Sequence, residues 1–453
     1  MASILIISPD VVAERMAGPA IRYWEFACAL CREHRVTLAI PNEVLPELRA
    51  SGFALIRHHH GNISELAHQH EIIIFQGHIL DMYPQVAGMD KILVADIYDP
   101  IPLEGLEQNK LRDLDDAARE IENQVRVMNT QLKWADYFLC ASNRQRDLWL
   151  GSLMALGRIN PITYAQIAQR IIIVPFGLPD TPPTRNGAGL REQLGHDSFI
   201  LLWGGGIWEW FDPLTVIRAV HGLRTEWPEL KLVFLGTRHP NPTVPVMPMQ
   251  DRAMALADEL ALTDKHVFFL PGWVPYHQLQ NYLLDADVCI SAHFATLESY
   301  FSFRTRMLYY LWAARPMVAT EGDVLADEIA RQGAGTAVGP GDVAGWQHAL
   351  RAMRDPSHYQ TCVARMQGLA AQYRWDAVVK SLSALCRNAQ RAEDVLCQND
   401  QRRLRGYDCE WEKQQLIRHI AWIENSNSWK LTAYLRAMRR QLARWLALRS
   451  GSA

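Results

Sequence analysis

Residues 199–214 read FILLWGGGIWEWFDPL. An apolar run ends in three glycines, and two tryptophans then flank a glutamate ahead of Asp212 and Pro213. A strand that passes through glycines into a helix lets backbone amides approach a phosphate. Glycine has no Cβ to hold the ligand off, and a helix N-terminus favours negative charge. The stretch holds no lysine or arginine, so a phosphate there needs its positive charge from another part of the chain. Asp212 before Pro213 has the chemistry of a helix N-cap. Trp208 and Trp210 are large enough to stack on a base or a sugar, or to pack between domains.

Two other clusters invite metal chemistry and do not support it. HHHGNISELAHQH (58–70) is rich in histidine, yet no carboxylate pair stands near it at ligand spacing, and it reads as an exposed loop. Cys28 and Cys31 have a C-x-x-C spacing inside a helical pattern with no second ligand pair, which is a core pattern. Neither a metal nor a cofactor is expected. The eight cysteines are scattered over 453 residues and suit a reducing cytoplasm. A net charge of -3 argues against bulk attraction to nucleic acid. No apolar run reaches the roughly 18 residues that cross a bilayer. MASILIISPD has no basic leader region and reads as a first strand.

The elements that must position these residues are short apolar runs separated by amphipathic stretches. ILIIS (4–8), VTLAI (36–40), EIIIF (71–75), KILVA (91–95), DYFLC (136–140) and RIIIV (170–174) form a first series. FILLW (199–203), KLVFLG (231–236), HVFFL (266–270), DVCIS (287–291), MVAT (317–320) and GTAV (335–338) form a second. Continuous rather than alternating apolar runs mark strands buried on both faces, and intervening helices give parallel sheets. VPFGLPDTPPTRNGAG (174–189) breaks the rhythm as a linker. The expected fold is therefore α/β: two tandem doubly wound Rossmann-like domains, residues 1–175 and 176–385, then a helical extension over 386–453. Ligands in such sheets bind beyond the carboxyl ends of the strands, here between the two domains. The segment 427–450 carries Lys430, Arg436, Arg439, Arg440, Arg444 and Arg449 and no acid. With leucine and tryptophan at helical spacing, it reads either as a helix for an anionic membrane surface or as a helix docked on its own domain with a solvated basic face.

Five strings in order carry a resemblance: AGPAIRYWEFACAL (17–30), DIYDPIPLE (96–104), VPFGLP (174–179), WGGGIWEWFDPLTVIRAV (203–220) and FSFRTRMLYYLWAARPMVAT (301–320). Together they resemble bacterial GT-B glycosyltransferases of the retaining group one family (family four-like), in its cell-surface polysaccharide branch. The likeness spans residues 1–385, and SWKLTAYLR (428–436) resembles a tail found on such enzymes.

The resemblance implies a nucleotide-sugar donor on the second domain and a glycan or lipid-linked glycan acceptor on the first. It also implies transfer with retention, no obligatory metal, and a place on the cytoplasmic face of the membrane. On that reading Gly18, Gly205, Gly206, Trp208, Arg304 and Arg306 bind the donor. The two arginines supply the missing charge, because guanidinium groups pair well with diphosphate oxygens. Their structural alternative is a pair of salt bridges holding the loop. His78, Asp96 and Asp99 stand at strand ends where they could meet an acceptor hydroxyl, and Glu298 is close enough in sequence to reach the donor sugar. Relatives carry an E-x(7)-E pair whose positions fall here on Phe301 and Tyr309. Tyr309 therefore either alters ribose recognition or marks a domain that has lost its donor. Two further readings stand beside transfer: a nucleotide-sugar epimerase, and a degenerate domain acting as a scaffold in glycan assembly.

Overall fold

The computed structural model describes residues 1–396 apart from 15, 47, 49 and 237–246. It also describes residues 418, 420, 423, 425, 426, 429, 430 and 432. The first sheet is built from β1 (Ser3–Ile7), β2 (Arg35–Ile40), β3 (Ala54–Arg57), β4 (Ile72–Phe75), β5 (Ile92–Asp96), β6 (Tyr137–Cys140) and β7 (Ile171–Ile173). Its spatial order is β3-β2-β1-β4-β5-β6-β7, with every neighbouring pair parallel. The second contains β8 (Phe199–Gly204), β9 (Leu230–Leu235), β10 (Val267–Phe269), β11 (Val288–Ser291), β12 (Met317–Thr320) and β13 (Gly335–Val338). These lie in the order β10-β9-β8-β11-β12-β13, again all parallel.

All twelve apolar runs are strands. β3 is the thirteenth, and its sequence ALIR gives no continuous apolar run because it is a half-covered edge strand. β1 and β4 are buried along their whole length, as strands covered by helices on both faces must be. In each sheet the order reverses once, between β1 and β4 and between β8 and β11. Such a reversal splays the loops after the two strands and leaves a crevice at their carboxyl ends.

The linker does more than join the sheets. Leu178 donates its amide to Tyr373 O at 2.7 Å and accepts that of Trp375 at 2.9 Å, so the outgoing and returning chain run side by side. The Trp375 ring packs against Phe176 (5.1 Å between centroids) and Phe26 (6.0 Å). A Cβ on Gly177 would collide with that indole, which accounts for the glycine in VPFGLP. Helices Trp375–Val378 and Lys380–Asn388 then pack on helix Gly18–Leu30 and on β7. Ion pairs Arg391–Asp136 (3.2 Å) and Arg158–Asp394 (2.5 Å) fasten the segment after these helices to the first sheet's domain. The chain thus ends its second sheet and returns to the first, and residue 385 lies inside helix Lys380–Asn388 rather than at a junction.

Residues 396–453 cluster as a separate unit. The basic tail expected over 427–450 lies outside the described residues apart from Trp429, Lys430 and Thr432. No helix among the described residues is long and apolar enough to cross a membrane.

Candidate functional site

The loops at both crevices open onto one cavity of about 580 Å³. From the first sheet come Gly18, the Gln76–His78 turn after β4, Asp99 after β5, and Glu104 from helix Ile101–Asn109. From the second come Gly204–Gly206 after β8, Trp208 and Trp210, Trp273 and Tyr276, then Arg304, Arg306 and Tyr309. Of the candidates named from the sequence, Gly18, His78, Asp99, Gly205, Gly206, Trp208, Arg304 and Arg306 share this cavity. Glu298 and Asp96 do not line it.

The glycine loop is covered by aromatic rings. Gly205 has φ +138, a backbone that side-chain-bearing residues rarely adopt. A Cβ on Gly206 would lie 3.3 Å from Trp208 Nε1 and 3.8 Å from the Trp273 ring. Trp208 and Trp210 stack with centroids 5.4 Å apart and planes 5° from parallel. The glutamate between them turns inward: Glu209 is buried and accepts the Met249 amide at 2.5 Å, at the start of helix Pro248–Glu259. Asp212 caps helix Pro213–Leu223 through Thr215 N at 3.1 Å, as its type and place predict.

Both arginines lie on this aromatic bed, and their pairing differs. The Arg306 guanidinium sits 4.0 Å from the Phe211 centroid and 5.1 Å from that of Trp203. Its Nη2 donates to Gly206 O at 2.6 Å, while Nη1 is buried without a partner. Among the described residues no carboxylate pairs with it. Burial, with the like charge of Arg304, brings its pKa down to about 10, so it remains a cation at neutral pH. A half-buried cation with no carboxylate partner among the described residues, resting on a glycine loop, is an anion site in waiting.

Arg304 is already neutralised. Its two terminal nitrogens donate to Glu298 at 2.7 and 2.6 Å, and Asp323 lies 3.6 Å from its Nε. Glu298 is 1% exposed, and both of its oxygens face Arg304 rather than the cavity. Proximity in sequence suggests reach to a sugar, but the chain turns the carboxylate behind the arginine. Burial pushes the Asp323 carboxyl up to about 6 against the pull of Arg304. Glu298→Ala would strand a buried guanidinium, with an expected loss of about 3 kcal/mol in stability. Urea denaturation should show a lower midpoint at unchanged m.

The first-domain wall is acidic. Asp99 accepts from Gln76 Nε2 at 3.1 Å, and Gln76 Oε1 is buried without a partner. Burial, and then the charge of Asp96, push Asp99 up to about 6. Glu104 is held well above the usual carboxylate range by burial and by Asp99 and Glu298, against Arg304. Both carboxyls line the cavity, and burial holds each of them toward its protonated form. Glu104 is not among the candidates that the sequence suggests, although it ends DIYDPIPLE. Its helical placement one turn after Pro100, which brings it beside Asp99, is the available signal.

Asp96 proves structural: fully buried, it takes Arg22 Nε at 2.6 Å and Nη2 at 3.0 Å, while Arg22 also donates to Val174 O and Pro175 O. His78 is exposed at the cavity rim. In the histidine-rich stretch His59, His60 and His68 are exposed as expected, but His58 and His70 are buried. His58 meets Tyr83 OH at 2.9 Å and His70 meets Thr37 Oγ1 at 2.8 Å, so the ends of the stretch are anchored. Among the described residues no group could hold a metal ion. Of Phe301 and Tyr309, the two positions where the resemblance leads one to expect acids, Tyr309 lines the cavity and Phe301 does not.

No protein-family model matches the chain, and the comparison with curated proteins returns no relative. Solved structures do match. Sucrose-phosphate synthase from Thermosynechococcus elongatus superposes with a TM-score of 0.59 at 15% identity, covering 85% of this chain and 98% of that one. HepE of Anabaena, solved in complex with UDP-glucose, gives 0.59 at 14%, covering 85% and 100%. WaaG, a glycosyltransferase involved in lipopolysaccharide biosynthesis, gives 0.54 at 14%, covering 84% and 98%. At these identities the likeness shows a shared fold: two parallel sheets with their carboxyl ends turned to one cleft.

Proposed function

We propose, from the GT-B fold that these similarities show, that the chain is a glycosyltransferase. It would move a sugar from a nucleotide donor to a growing surface glycan. The observation that carries the reading is Arg306, a cation on a glycine loop that meets no carboxylate among the described residues and faces an acidic wall across one cavity. The donor diphosphate would lie on Gly205 and Gly206 against Arg306, with Arg304 beside it and Gly18 closing from the other domain. Trp208 offers a face for sugar or base. HepE binds UDP-glucose, which supports a uridine nucleotide donor.

The acceptor hydroxyl would point at Asp99, with His78 and Glu104 nearby. In same-face transfer the acceptor oxygen bonds to the anomeric carbon as the carbon–phosphate oxygen bond breaks. The hydroxyl proton then passes to the departing diphosphate, so Asp99 orients rather than carries it away, and no metal is required. Glu298 acts through Arg304 as a positioning residue.

A thermal-shift screen against UDP, GDP, dTDP, ADP and CMP, with and without magnesium, tests this, since a ligand of the folded state raises the apparent melting temperature. A shift with one nucleotide supports the donor site. Turnover of its sugar conjugate without acceptor would favour the epimerase. No shift with any nucleotide would favour the scaffold reading, which Tyr309 and Phe301 support by replacing the acids of relatives.

The acid-free segment 427–453 would hold the enzyme at an anionic membrane carrying a lipid-linked acceptor. Its deletion should lower activity on that acceptor more than on a soluble mimic. Equal loss on both would remove the targeting role.

A further inference from the structure

We propose that Arg144 and Gln145, adjacent at the start of helix Asn143–Ala155, are positioning residues that lock the acidic wall to the arginine wall of the cleft. The proposal rests on the function assigned above to those walls. Gln145 is fully buried. Its one amide nitrogen donates to Tyr98 O at 2.7 Å and to Phe301 O at 2.9 Å. Tyr98 immediately precedes Asp99, and Phe301 stands three residues before Arg304. A single NH2 group therefore joins the first domain's acid loop to the second domain's arginine loop. Its Oε1 accepts the Ala141 amide at 2.7 Å, which fixes the orientation of the fork.

Arg144 grips the same second-domain region from the next position. Its Nη1 donates to Gly322 O at 2.6 Å and to Tyr300 O at 3.3 Å, and Nη2 meets Asp327 Oδ2 at 2.7 Å. The guanidinium lies 4.5 Å from the centroid of the Tyr300 ring. Asp327 in turn accepts the Gly322 amide at 2.8 Å, and Gly322 is next to Asp323, the second acid beside Arg304. One helical turn of the first domain thus holds both segments that support Arg304.

The chemistry suits a reversible lock. Two carbonyl oxygens converge on one nitrogen, which only a donor with two forked hydrogens satisfies without bringing a charge into the core. If the cleft opens, Phe301 O and one N–H pass to water, and each domain keeps its own hydrogen bonds. The contact sets where Asp99 stands relative to Arg304 and Arg306 when the cleft is closed, and misplacement on that scale costs rate more than affinity.

Hydrogen exchange on the full-length protein tests this, together with UDP calorimetry and turnover of UDP-sugar. In Gln145→Ala, exchange at 96–101 and at 298–304 should rise together, roughly tenfold or more, with the other amides of both sheets unchanged. The turnover number should drop roughly tenfold or more while the Kd for UDP changes less than about threefold. Gln145→Glu, which sets a carboxylate against two carbonyls, should be worse than alanine. Arg144→Ala, at a half-exposed site that does not threaten folding, should raise exchange at 298–304 and 321–327 and leave 96–101 alone. Unchanged exchange in either segment of Gln145→Ala, a uniform rise through both sheets, or paired opening at full turnover would each overturn the proposal. So would an Arg144→Ala protein with wild-type exchange, which decides the matter should Gln145→Ala fail to fold. If wild-type protein takes no nucleotide, the functional reading fails while the exchange measurements still test the lock.

Discussion

Arg306→Ala is expected to weaken nucleoside diphosphate binding roughly 10–100-fold, the range for losing one or two charge-assisted hydrogen bonds in a desolvated site. The unliganded protein should melt close to wild type. The substitution removes packing on Phe211 and Trp203 and one bond to Gly206 O, but it also removes a half-buried charge that meets no carboxylate among the described residues. Arg304→Ala should behave in the opposite way. Its guanidinium already answers Glu298, so its loss leaves a buried carboxylate and lowers stability before it touches the ligand. Arg306→Lys keeps the charge but not the flat face, and should fall between wild type and alanine. Calorimetry with the nucleotide found by screening, beside thermal melts of the three variants, separates these cases. Wild-type affinity in Arg306→Ala would remove the observation on which the functional reading rests.

Why one arginine of FSFRTR is paired and the other is not lies beyond the reach of the sequence. Both fit a diphosphate by type, and both lie in the right loop. The difference arises because Glu298, on the short helix Leu297–Phe301 just ahead of Arg304, and Asp323, from the turn after β12, both close on Arg304. The strands, by contrast, are legible because continuous apolar runs leave few alternatives to burial on both faces. β3 escapes for the same reason, being an edge strand with no such run. Asp96 and Asp99 are three residues apart with similar flanks, yet Asp96 ends a strand and faces Arg22 in the core while Asp99 turns into the cavity. Period and composition separate strand from loop. They do not say which of two neighbouring acids the loop exposes, and that distinction is the one on which chemistry depends.

Asp99 and Glu104 make the second large prediction. With Asp99 required as a carboxylate, kcat/KM should rise through about pH 6, the value to which burial and Asp96 push it. If the neutral form of Glu104 is needed, it should fall again at higher pH, and Glu104→Gln should abolish only that second limb. Asp99→Asn should lose roughly 100-fold in turnover, as expected when the group that orients the acceptor is lost. Stability should move the other way. A carboxyl whose pKa is raised by folding holds more protons in the native state than in the unfolded one. Its contribution therefore declines as pH rises from the unfolded value near 4 to about 6, and stays lost above that. Asp99→Asn removes this penalty and should be more stable than wild type at pH 8 by about 1–3 kcal/mol, with little difference at pH 4. Urea denaturation at the two pH values measures it. An asparagine variant that is less stable at pH 8, with the wild-type slope between pH 4 and 6 intact, would move the titration to another group. Asp323, pushed up to about 6, and Glu25, pushed up to about 7 by burial and Asp180, are the residues to replace next.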